Sequence, residues 1–305
     1  MTAKKRDMTG AKEAIKVSRW IEPWGDSRFP IDVDGMARNC HSTYDRDDPI
    51  TEIHGAPWKD VDGFLRRNPD NPKEWWITYS TNVTPERQRF TKAHELGHYI
   101  IHSQRQDEFR CGRDAIVEKD TGETNIEAQA NQFASYLLMP ATHVRPRIEK
   151  TQVTLDLISE LAGFYGVSFE AMCIRFVEIT AERAVLVYWD NGMMLRWSRS
   201  GAAKLQRLWI ETSKNGPLEP TAGTVAADTS VRQCSEGQIV PANLWFKNAL
   251  EGEMLREMKH TSDTYERVLS LLIIPKFESR WARDWDEHTD DTFDRFIERG
   301  QYPVR

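Results

Sequence analysis

His94, Glu95 and His98 form a His-Glu-x-x-His run within Phe90-Thr91-Lys92-Ala93-His94-Glu95-Leu96-Gly97-His98-Tyr99-Ile100-Ile101-His102. On a helix, residues four apart share a face, so the two imidazoles could hold one metal ion. A neutral imidazole nitrogen binds zinc at about 2.0–2.1 Å, and two such ligands half-fill a tetrahedral shell. Glu95 follows the first histidine directly and is not placed to be a third ligand. It could reach a water at the metal and take its proton. A chance match explains so short a run equally well, so the flanking sequence has to decide.

The elements around the run support a helix. Thr84-Pro85-Glu86 reads as an N-cap, a first-turn proline and an early acid. Phe90, Ala93, Gly97, Ile100 and Ile101 form an apolar stripe beside the histidines. Gly97 costs the helix about 1 kcal/mol relative to alanine, a cost that close approach of another backbone would explain. A third ligand should come from a second helix, over 124–140. Ile126, Ala130, Phe133, Ala134, Leu137 and Leu138 make its core stripe, and Pro140 closes it. Glu127 borders that stripe and can face inward as a ligand. Thr124-x-x-Glu127 is also a capping box, in which Glu127 would bond the N-cap amide instead.

Arg87-Gln88-Arg89-Phe90-Thr91 runs into His94-Glu95-Leu96-Gly97-His98-Tyr99. Glu127-Ala128-Gln129-Ala130-Asn131-Gln132-Phe133-Ala134 and Leu137-Leu138-Met139-Pro140 follow. This combination resembles the ImmA/IrrE family of metallopeptidases over about the first 140 residues. The resemblance implies a zincin-like α+β domain with His94, His98 and Glu127 as zinc ligands and Glu95 as general base. It also implies a protein substrate, a helix-turn-helix repressor or antitoxin that is cut to switch transcription. Manganese would also suit two imidazoles and a carboxylate. Tyr99, His102, Tyr136 and His143 are candidates for stabilising an oxyanion.

Composition bounds these readings. The 305 residues suggest more than one domain. No run of 18 apolar residues exists, so no membrane span is expected, and the polar start has no secretory apolar core. Cys40, Cys111, Cys173 and Cys234 are scattered without a C-x-x-C pair, which points to a reducing cytoplasm. The formal net charge of -6 argues against a phosphate-neutralising surface.

The expected organisation is a metallopeptidase domain over 1–150, a helix-turn-helix-like segment over 151–182 and a C-terminal α/β sensor or docking domain over 183–305. In the first, helices near 9–20 and from about 29 precede strands at 50–54, 61–67 and 74–79. Residues 103–123 read as a solvated loop, with a lid over the cleft as the functional alternative. Leu161-Ala162-x-x-Tyr165-Gly166-Val167-Ser168 resembles the turn of a helix-turn-helix. Glu170, Arg175 and Glu178 on the following helix argue against direct DNA binding. In the third part, Asp190-Asn191-Gly192 joins two strands as a hairpin. A helix over 202–212, a loop over 216–237, extended segments at 244–246 and 253–258 and a buried strand over 265–274 follow. Trp281, Trp285, Phe293 and Phe296 give the tail helical spacing. Two further functions compete with a peptidase. One is a non-catalytic module with a structural metal, which would have no need of Glu95. The other is a DNA-binding regulator. Oligomeric state is not legible.

Overall fold

The computed structural model describes residues 8–112, 122–205, 208, 210, 218–262 and 267–275, and for 122–125 the backbone alone. The chain divides into two compact units, Met1–Thr180 with Gln233–Glu236, and Ala181–Arg232 with Gly237–Arg305. Each is a mixture of helices and strands, and the fold is α+β.

The first unit opens with α1 (Thr9–Ser18) and α2 (Val33–Thr43). Asp32 caps α2, its Oδ1 accepting from the Gly35 amide at 2.9 Å. Strands β1 (Ile50–Ala56), β2 (Val61–Arg67) and β3 (Trp75–Ser80) follow. Then come α3 (Pro85–Ile101), β4 (Glu108–Gly112), α4 (Gly122–Leu138) and α5 (Ala141–Ile148). The strand order is β1-β3-β2-β4, with β1 parallel to β3 and the other pairs antiparallel.

Strand β4 lies in the stretch expected to be loop. Its five residues alternate exposed and buried, with Phe109 and Cys111 inward and Glu108 and Arg110 outward. Pairing with β2, Cys111 opposite Gly63 and Phe109 opposite Leu65, creates the strand. That partner is distant in sequence and invisible to local propensity. Residues 113–121 of the expected loop lie outside the described residues.

Helix α3 is buried nearly all round between Thr91 and Tyr99, a wider burial than the expected stripe. The sheet covers one side of it and α4 another. Thr84 caps it as expected, accepting from the Arg87 amide. The arginines at its start are anchors. Arg87 Nε donates to Asp62 on β2 at 3.0 Å, and Arg89 Nη2 donates to the Ile31 carbonyl at 2.7 Å. Gly97 makes room for a side chain, not for a backbone. A Cβ there would stand 3.1 Å from Cβ of Phe133 on α4.

Asp48 ties the sheet to the far end of α3. Its carboxylate accepts from Arg46 Nε at 2.8 Å, Arg67 Nη1 at 2.8 Å and Trp75 Nε1 at 3.0 Å. Its carbonyl accepts from the Tyr99 hydroxyl at 3.0 Å. Burial alone would raise the Asp48 carboxyl, but these donors hold it down at about 2. Its contribution to stability is therefore complete above the unfolded value of about 3.9 and is lost as pH falls through about 2. Asp48→Ala, which strips two arginines of a partner, is expected to cost about 3 kcal/mol in urea unfolding at neutral pH. The gap between parent and variant should narrow between pH 4 and 2. A variant as stable as the parent at pH 7 would refute this role.

Helices α6 (Leu155–Tyr165) and α7 (Phe169–Ile179) follow, at 107° to each other. Arg175 is fully buried on α7. Its Nε donates to the Met139 carbonyl at 2.9 Å, and its guanidinium lies 3.9 Å from the Tyr136 ring centre. It closes the end of α4 and presents nothing to a groove.

The second unit contains β5 (Arg183–Asp190), β6 (Met193–Arg199), α8 (Gly201–Leu205), β7 (Gln233–Pro241) from Gly237 onwards, β8 (Met254–Thr261) and β9 (Arg267–Ile274). The strands order as β6-β5-β9-β8-β7. The expected hairpin is β5–β6, with Asn191 and Gly192 at φ of 50° and 76°. Two expectations fail. Ala242–Leu244 is a 3-10 turn rather than part of an extended run, because Trp245 turns back to donate its Nε1 to buried Glu257 at 3.0 Å. The end of the expected loop, from Gln233, is strand β7 despite its polar composition. The expected helix over 202–212 is described only as α8, and the aromatic tail lies outside the described residues. Among the described residues no single helix is long and apolar enough to cross a membrane.

Candidate metal centre

One turn of α3 separates His94 from His98, and their Nε2 atoms stand 3.0 Å apart. Glu127, near the start of α4, reaches both. Its Oε2 lies 3.1 Å from His94 Nε2 and its Oε1 lies 3.2 Å from His98 Nε2. Helix α4 runs back to Gly122, so Thr124 lies within the helix and is not its cap. The carboxylate of Glu127 is turned to the histidines. Burial works to raise the Glu127 carboxyl, but the two imidazoles outweigh it and hold it well below the usual carboxylate range. Burial pushes the His98 imidazole down to about 4, which keeps it neutral with a free lone pair near pH 7.

The outward nitrogens of both imidazoles are held from behind. His94 Nδ1 donates to Asn131 Oδ1 at 2.9 Å, which leaves Nε2 bare. His102 Nε2 donates to Gln129 Oε1 at 2.7 Å, so His102 Nδ1 accepts from His98 Nδ1 at 3.1 Å and the Nε2 of His98 is bare too. Carboxamides on α4 thus fix both tautomers in the form that binds a cation. Phe109 stacks on the His98 ring with centroids 4.6 Å apart. The sequence pattern contained Gln129 and Asn131 without revealing this task. Their signal is position, since both lie within one turn of Glu127.

Glu95 is fully buried, and the Cys111 thiol bears on its carboxylate as a hydrogen-bond donor. Burial pushes its carboxyl up to about 7, with His94 pulling the other way. A buried acid beside paired imidazoles, met by one thiol, fits a divalent cation and a proton-transfer role. Gly63 on β2 makes its place. A Cβ at that position would stand 2.3 Å from Glu95 Oε1 and 2.5 Å from Thr91 Cγ2.

The structure brings His94, Glu95, His98 and Glu127 together. It also adds Cys111, whose Sγ is 3.1 Å from His94 Nε2. The four oxyanion candidates stand elsewhere. Tyr99 points at Asp48, and His102 backs His98. Tyr136 faces Arg175, and His143 bonds Tyr165 and Asp26 at 2.8 and 2.7 Å.

Residues 52–177 match the family model described as the IrrE N-terminal-like domain, a peptidase family. The radiation response metalloprotease IrrE of Deinococcus deserti is 32% identical over 144 residues, covering 47% of this chain and 48% of that protein. That of Deinococcus radiodurans is 31% identical over 110 residues, covering 36% and 33%. The chain thus spans about half the length of one curated relative and a third of the other. A solved structure described as a Mycobacterium tuberculosis transcriptional regulator shares the fold, with a TM-score of 0.51 at 16% identity over 86% of this chain and 87% of that one. Over residues 52–177 the chain is similar to the ImmA/IrrE family of metallopeptidases.

Proposed function

We propose that this chain is a zincin-like, zinc-dependent endopeptidase that inactivates a partner protein by cleavage, a helix-turn-helix repressor or an antitoxin. The convergence of His94, His98 and Glu127 on one point, beside a fully buried Glu95, carries this reading. The three side chains would hold the cation, with manganese as an alternative to zinc. When bound, such an ion polarises a scissile carbonyl and makes water nucleophilic near neutral pH.

The protein's own groups do the rest. Glu95 takes the proton of the attacking water and returns it to the leaving amine. A carboxyl held near 7 suits both transfers, and the cation's charge would draw it towards the carboxylate a base requires. Gln129, through His102, and Asn131 keep both imidazoles aimed. Among the described residues β4 is the outer strand of its sheet, with exposed Glu108 and Arg110 beside a cleft that Trp58 and Phe64 also line. An extended substrate segment would add to that edge through main-chain bonds. The buried Arg175 supports α6–α7 as a brace for the site helices, and direct DNA binding has no support from it. The region from 183 onwards is proposed as a sensor or docking domain, and the four free cysteines agree with a cytoplasmic location.

The purified chain is expected to bind one divalent ion, measured by native mass spectrometry. His94→Ala should lose it, and Glu127→Ala should hold it at least tenfold more weakly. Incubation with a repressor-like protein encoded beside this gene should give two fragments, and a chelator should prevent this. Full metal occupancy in Glu127→Ala would remove Glu127 from the ligand set.

A further inference from the structure

Cys111 is the one member of the cluster that the peptidase reading does not use. We infer that its thiolate is a fourth metal ligand, which closes the coordination shell and keeps the folded chain latent. This rests on the metal-site reading above.

The spacing of the four groups approaches that of a tetrahedral shell. Zinc–nitrogen and zinc–oxygen bonds of about 2.0–2.1 Å and a zinc–sulfur bond of about 2.3 Å give edges of roughly 3.3–3.6 Å. The two imidazoles are 3.0 Å apart, and Glu127 reaches His94 through Oε2 at 3.1 Å and His98 through Oε1 at 3.2 Å. Cys111 Sγ lies 3.1 Å from His94 Nε2, 3.6 Å from His98 Nε2 and 4.0 Å from Glu127 Oε1. Four donors of the types zinc prefers therefore surround one centre.

The ordinary explanation of a buried cysteine is that it packs as a small apolar group. Cys40 fits that description, since its Sγ donates within its own helix to the Ala37 carbonyl at 3.3 Å. Cys111 does not. Its neighbours are two imidazoles and the carboxylates of Glu95 and Glu127. Strand alternation sends it inward with Phe109, and the register with Gly63 sets it beside Glu95.

On coordination the S–H bond breaks, a metal–sulfur bond forms and the proton leaves to buffer. A site with four protein ligands has no position left for water or a carbonyl. Catalysis then requires the sulfur to leave, and β4 is both its carrier and the strand on which the substrate would pair. Substrate binding and opening of the shell are thereby joined in one element.

The test is zinc-edge X-ray absorption on the reduced full chain with one equivalent of zinc. The expected spectrum has one sulfur at about 2.3 Å with nitrogen and oxygen at about 2.0–2.1 Å. Cys111→Ala should keep zinc and lose the sulfur shell, and Cys111→Ser serves if the alanine variant does not fold. Bound zinc with nitrogen and oxygen alone in the parent would overturn this inference and leave the three-ligand site standing. A sulfur shell that survives in either variant would also overturn it. Failure of the parent to bind zinc would overturn the metal site itself.

Discussion

Glu95→Gln is expected to bind metal as the parent does and to cut its natural protein substrate about 10²–10⁴-fold more slowly. Glutamine keeps the size of the side chain and loses its basicity. The surroundings are arranged for that one property. Glu95 is fully buried, and burial brings its carboxyl to about 7. It contributes no atom to the cluster of ligand-type groups, so metal content should not move. Single-turnover cleavage and metal analysis on the same preparation separate the two effects. Equal cleavage by variant and parent would eliminate the general-base role. Loss of metal together with activity would make Glu95 a ligand.

Gly63→Ala should produce the second large effect, from a residue with no chemistry of its own. The added methyl would overlap Glu95 Oε1 and the Thr91 methyl, both on the rigid face of α3. Either β2 moves away from the helix or Glu95 turns aside. Overpacking of this kind costs about 1–3 kcal/mol, and displacement of a catalytic group by about 1 Å costs about 10²-fold in rate. Metal content should survive, because neither His94 nor His98 meets the new methyl among its nearest contacts. Urea unfolding and turnover would measure the two losses. A variant of parental stability and rate would mean that the close fit around Glu95 has no consequence.

The elements of the site that depend on local periodicity were legible in the sequence. His94 and His98 lie one turn apart, and the stripe from Ala130 to Leu138 turned Glu127 towards them. What depends on contacts between distant segments was not. Strand β4 exists because five residues pair with β2, and its alternation over 108–112 is too short to stand out from a charged loop. Cys111 therefore read as one of four scattered cysteines, although β4 sets its sulfur against His94. Gln129 and Asn131 were visible as residues but not as the groups that fix two imidazole tautomers. That role exists only once α3 and α4 are packed. In the second unit Leu244-Trp245-Phe246 suggested extended chain by propensity. The hydrogen bond from Trp245 to Glu257 on β8 overrides it.

The central claim is that His94, His98 and Glu127 hold one metal ion with Glu95 beside it. Crystals of the zinc-loaded full chain, measured on both sides of the zinc absorption edge, test it most directly. A single anomalous peak should lie about 2.0–2.1 Å from Nε2 of His94, Nε2 of His98 and a carboxylate oxygen of Glu127, with Glu95 outside bonding distance. A peak at another cluster, or none at these residues at full zinc saturation, would contradict the account.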